Sequence, residues 1–147
     1  MNELSVSSET IRLDLPASLK YLNILGACLT AMLAHAHNIQ NKEIISYNIQ
    51  LALHEICTNI TIHAYAHLPE PGTGRIEVAI TLHSQEKSLM FELFDDGKPF
   101  DERNVAQPDL IHGQVHGYGL YLARNLMDSI EYKRQGHRNV WRLTKNL

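Results

Sequence analysis

The chain has 147 residues, a length that supports one domain around one core without disulfides or metal. A formal net charge of −3, with no Lys/Arg cluster before Tyr132-Lys133-Arg134, argues against a nucleic-acid surface. No apolar run reaches the ~18 residues of a membrane span, no signal peptide is evident, and Cys28 and Cys57 sit in apolar helical patterns, so a single cytoplasmic domain over 1–147 is expected.

Thr10 to Leu15 alternates polar and apolar residues with period two and predicts a strand that Pro16 ends. From Ala17 to about Ala36, Leu19, Leu22, Leu25, Leu29, Met32 and Leu33 recur at helical spacing. A second, longer helix is predicted from Lys42 to about His67, with Ile45, Ile49, Ala52, Ile56 and Ile60 on one stripe. Pro69 to Gly74 is a turn cluster. Arg75–His83 and Ser88–Phe94 alternate as two strands joined by a four-residue loop. The segment 101–116 has no usable periodicity, and at about 16 residues it exceeds the usual connection length. Leu120 to Asp128 predicts a third helix, and Ser129–Arg134 with Arg138–Thr144 a closing hairpin. This order predicts an α+β fold: a two-layer sandwich whose mixed, mostly antiparallel sheet carries its helices on one face.

Three constellations carry chemistry. Glu55 and Asn59 are four residues apart, so one helical face presents a carboxylate beside an amide oxygen. Such a pair suits a hard cation like Mg²⁺, or a carboxylate that orients or deprotonates a nucleophile. The alternative is an exposed polar edge, and His63 extends the same face as either a site residue or a helix-end packing residue. Asp95 and Gly97 stand where a strand leaves the sheet, an Asp able to accept from a ligand amine and a Gly that lets backbone approach closely. Gly117 and Gly119 open a helix, where N–H donors and the dipole favour phosphate. The phosphate loop of Walker-type enzymes and the G-x-G-x-x-G of dinucleotide folds do not fit. Histidines offer little for a metal: Thr58 replaces the second His of H-E-x-x-H, and His63 with His67 lacks a third ligand in the sequence.

In this order, on these elements, the three constellations resemble the N, G1 and G2 boxes of the GHKL ATPase superfamily (gyrase, heat-shock chaperone, histidine kinases, MutL). The runs DDGKPFD, GYGLYLARNLMDSIEY and GHRNVWRLTK narrow the resemblance to the bacterial anti-sigma-factor serine kinases of the RsbW type, over a core of about 11–145. The resemblance implies ATP and Mg²⁺ as cofactors, with Asn59 holding the Mg²⁺ and Glu55 as the catalytic base. It assigns Asp95 and Gly97 to the adenine, His116, Gly117, Gly119 and Leu120 to the phosphate side, and about 101–116 to the ATP lid. It further implies phosphorylation of a Ser or Thr on an anti-anti-sigma partner of the STAS type, a sigma factor as the alternate partner, and a homodimer. One departure bears on turnover: Gln114, Val115 and His116 precede Gly117, where many relatives carry an arginine. The alternative is an ATP-dependent anti-sigma module that holds its partner without kinase turnover.

Overall fold

The structure, a computed structural model, describes residues 8–70, 72–101 and 119–147. Strand β1 spans Ser8–Pro16, helix α1 Leu22–Ala34 and helix α2 Lys42–Asn59. Strands β2 (Arg75–His83) and β3 (Ser88–Asp95) follow, then helix α3 (Gly119–Leu126) and strands β4 (Ser129–Gln135) and β5 (Arg138–Asn146). The sequence-based elements are all present in order, with two local differences in the helices.

The first helix starts later than its apolar spacing predicts. Ala17 N–H donates to the Gly74 carbonyl at 2.8 Å, and Ser18 stays extended at φ −143°. A single 3-10 turn, Leu19–Tyr21, then leads into α1. The second helix is α-helical only to Asn59 and continues as a π turn over Ile60–Ala64, closed by Tyr65 N–H on the Ile60 carbonyl at 3.1 Å. Such wide turns within helices concentrate at functional sites.

The sheet order is β1-β2-β3-β5-β4, and all four pairings are antiparallel. The expectation of a mixed sheet is corrected by that order. β3 and β4 run in the same direction, but β5 lies between them, so no two neighbours are parallel.

Register places one apolar row on the inner face. Val78 opposes Leu13 and Leu93, Phe91 opposes Ile80 and Leu143, and Trp141 opposes Leu93 and Tyr132. These side chains pack with Leu25, Leu29 and Leu33 of α1, Ile49, Leu53 and Ile56 of α2, and Leu120 and Ala123 of α3 in one core. Burying each large side chain stabilises the fold by about 1.5–3 kcal/mol. The opposite face is polar, with Thr10 bonded to Thr81 at 2.9 Å and Arg142 to Glu92 at 3.1 Å. Among the described residues no helix is long and apolar enough to cross a membrane. Cys57 is buried and its thiol is pushed up to about 12 by desolvation, so it acts as a core residue; Cys28 is half-buried.

Candidate active site

The inner row ends in two polar residues. Asp95 closes β3, Asn139 opens β5, and they are direct cross-strand partners, each 1% exposed. A carboxylate buried this deeply is costly unless it is hydrogen-bonded. Asp95 Oδ1 is satisfied twice, by Gly97 N–H at 2.9 Å and by the Asn139 amide at 2.7 Å. Asp95 Oδ2 is buried with no partner among the described residues. Desolvation raises the carboxyl above its ordinary range, opposed by the hydrogen bonds from Asn139 and Gly97 and by the Arg134 charge, while Asp96 raises it further.

Asp95 borders a cavity of about 580 Å³ between the end of the sheet and the helices. Glu55, Asn59, Ile60, His63 and Ala64 form one wall, Gly119 and Leu120 of α3 another, and Lys98 to Asp101 with Asn139 and Trp141 the remainder. The π turn explains how His63 joins that wall. An α-helix advances ~100° per residue, which would carry a third residue at spacing four off the Glu55–Asn59 row. The wider turn advances less per residue and swings His63 back toward it.

Gly97 lies beside the cavity and packs on the helix end. A Cβ there would stand 2.5 Å from the Ala64 carbonyl oxygen, so only glycine permits the approach. The same carbonyl accepts from Lys98 N–H at 2.8 Å, which ties the loop after β3 to the π turn. The Tyr65 hydroxyl adds a second tie, donating to the Arg75 carbonyl at 2.6 Å and accepting from Asp96 N–H at 3.0 Å. Gly119 approaches α2 closely as well, but what a Cβ on it would overlap is the Glu55 carboxylate, the movable end of a side chain. The first turn of α3 therefore sits directly over Glu55.

Six of the residues singled out from the sequence thus line one cavity: Glu55, Asn59, His63, Asp95, Gly119 and Leu120. Gly97 supports it from behind. His116, Gly117 and most of the predicted lid lie outside the described residues. Neither Glu55 nor Asn59 has a side-chain partner among the described residues, so both polar ends are available to a ligand. No group of three His, Cys, Asp or Glu side chains among the described residues could hold a metal by itself, His63 and His67 included. Sequence reasoning missed Asn139, Tyr132 and Arg134. Their signal was parity: Asn139 shares the inward positions of β5 with Trp141 and Leu143, where an amide is out of place.

What this arrangement can do is bounded by its chemistry. A buried carboxylate oxygen with no partner among the described residues, at one end, is an acceptor open to a ligand donor. A carboxylate and an amide at the other end offer oxygen atoms to a cation, and thus to the anion it accompanies. Comparison with known proteins gives the family and the fold. Residues 15–145 match the histidine kinase-like ATPase domain family. The chain is 28% identical over 135 residues to the serine-protein kinase RsbW of Bacillus thuringiensis (strain Al Hakam), covering 84% of this chain and 76% of that one. It is 27% identical over 136 residues to the serine-protein kinase RsbW of Bacillus cereus (strain AH187), with the same coverage. The fold superposes on the RsbU and RsbW domains of a Mycobacterium tuberculosis protein with TM-score 0.63 at 19% identity, over 95% of this chain but only 32% of that longer one. It also superposes on the histidine kinase domain of a blue-light activated histidine kinase from Erythrobacter litoralis with TM-score 0.55 at 17% identity, over 90% of this chain and 61% of the other. With the family match running nearly end to end over a cavity of this design, the chain belongs to the histidine kinase-like ATPase domain family.

Proposed function

We propose that this protein is an ATP-dependent serine/threonine kinase of the partner-switching type. It transfers the γ-phosphoryl group of ATP to a Ser or Thr of an anti-anti-sigma (STAS-type) protein, and in its other state holds a sigma factor. The observation that carries the reading is the buried, unpartnered Oδ2 of Asp95, which fits the 6-amino group of adenine. Bound Mg²⁺ would supply charge neutralisation at the phosphates, with Asn59 as its protein oxygen ligand. Such a cation fits the end of the cavity where Glu55 and Asn59 present oxygen atoms.

The residues divide the work by position. Asp95 orients the base, and the start of α3 at Gly119 brings backbone N–H donors to the phosphate side. Glu55, half-buried below Gly119, accepts the proton of the attacking hydroxyl as its oxygen bonds to the γ-phosphorus and the bond to the ADP oxygen breaks. His116, Gly117 and the lid complete the phosphate side, and a homodimer is the working assembly.

A second reading is a nucleotide-dependent binding module without turnover, favoured by the missing arginine before Gly117. Calorimetry of ATP binding with and without Mg²⁺, on wild type and Asn59→Ala, tests the common core of both. Loss of the magnesium-dependent part in Asn59→Ala supports the site; absence of binding by wild type at millimolar ATP overturns it. Phosphate transfer to a STAS-type partner then separates kinase from module.

A further inference from the structure

Asp95 can select a base only if its free oxygen is always an acceptor and always the one facing the cavity. Asn139 supplies half of that condition. Its amide nitrogen has two hydrogens, and two short contacts take them: Asp95 Oδ1 at 2.7 Å and the Lys98 carbonyl at 2.8 Å. Its oxygen accepts from the Tyr132 hydroxyl and from Arg134 Nη1 at 3.0 Å. Every hydrogen-bonding position of the amide is therefore filled.

An amide can be turned over, exchanging its oxygen and nitrogen. Tyr132 does not prevent this, because a hydroxyl donates or accepts as required, and this one already accepts from Phe100 N–H at 2.9 Å. The Lys98 carbonyl does prevent it, because it can only accept, and Arg134 bars it from the other side. A guanidinium is always charged and only donates, so an amide nitrogen turned toward it has no acceptor. With the amide reversed, its oxygen would face Asp95 Oδ1, and two acceptors in contact are tolerated only if a proton sits between them. Arg134 Nη1 also holds the Gly97 carbonyl at 2.7 Å, and with it the turn that presents Gly97 N–H to Asp95.

We propose that Arg134, whose Nη1 holds both the Asn139 oxygen and the Gly97 carbonyl, is the positioning residue that fixes base selectivity: it keeps the two donors of Asp95 Oδ1 in place, so that Oδ2 faces the base as an acceptor. The inference rests on the nucleotide reading above and adds a residue on β4 that does not line the cavity. It also explains why Nη1 of a residue exposed at the sheet edge reaches to both a carbonyl and an amide.

The test uses the 6-amino group as a probe. Affinities of wild type, Arg134→Met and Arg134→Lys are measured for ATP and for purine riboside triphosphate, which differs only in lacking that amino group. Wild type is expected to prefer ATP by roughly tenfold or more, the range of one hydrogen bond to a charged acceptor. Arg134→Met is expected to shrink the preference to about threefold or less by weakening ATP alone. Arg134→Lys, which keeps the charge and a donor, is expected to recover part of it. Equal weakening of both nucleotides by Arg134→Met would mean a merely structural role, and an unchanged preference would mean no role; either overturns the inference. A wild type that binds ATP without preferring it overturns the inference and leaves the nucleotide site standing. A wild type that binds neither nucleotide overturns the nucleotide reading and the inference together. Thermal melting of the variants checks that each is folded.

Discussion

At the scale of single residues, the site is built from polar groups that the fold leaves unsatisfied on purpose. Asp95 is the clearest case, and its ionisation works against stability. Because its folded-state pKa is raised above the unfolded value, the linked stability is present below that unfolded value, near 3.8, and is lost as pH rises through the folded one. Ionising the carboxylate therefore costs the fold. Asp95→Asn should melt no lower than wild type at pH 7, with any gain shrinking as pH falls toward 4. ATP affinity should nevertheless drop at least about tenfold, because Oδ1 keeps its two donors and an NH₂ must take the place of Oδ2. Paired melting curves and calorimetry read both effects. Glu55→Gln is the complementary change. It keeps shape and removes the base, so phosphate transfer should fall by roughly 10²–10⁴ while ATP affinity holds within about twofold. A transfer assay beside a binding assay separates the two.

At the scale of elements, the important joint is where α2 widens into the π turn and meets the loop after β3. Gly97 on Ala64, Lys98 on the Ala64 carbonyl and Tyr65 between Arg75 and Asp96 make that joint rigid. Gly97→Ala sets a methyl against backbone that cannot move aside, so a loss of about 1–3 kcal/mol by denaturant melting is expected, with weaker ATP binding alongside. Little of this joint was legible in the sequence. The apolar stripe of α2 reads as continuous through Ile60, and nothing in it marks the change to a wider turn. Asp95 and Gly97 were legible as a pair, but the reason glycine is required, an approach to a helix 33 residues earlier in the chain, exists only in three dimensions (97 − 64 = 33). Asn139 hid in an alternating strand for the same reason, since its partner Asp95 comes from another strand.

At the scale of the whole molecule, helix and strand periodicities yielded the order of elements and the two-layer architecture. The antiparallel sheet was not legible, because it depends on β5 entering between β3 and β4, a choice made by packing rather than by local pattern. The cavity is shared by α2, α3 and the sheet, so ligand binding should stabilise the domain as a unit. Nucleotide with Mg²⁺ at a hundredfold excess over Kd is expected to add about 2.7 kcal/mol. That corresponds to a rise in Tm of several degrees, on the order of 5–10 °C, in a thermal scan. A scan that does not move at such concentrations would count against a site spanning all three elements.

The insertion of β5 also sets a clock. Glu55, Asn59, Asp95 and Gly97 are all made before Arg138, yet the second donor to Asp95 arrives only with Asn139. A chain emerging from the ribosome in sequence order therefore carries the carboxylates that the proposed function assigns to catalysis and to the base before that donor exists. On the proposed function, nucleotide binding is expected only once β5 has filled the gap between β3 and β4, so a nascent chain stalled before Arg138 should bind ATP weakly.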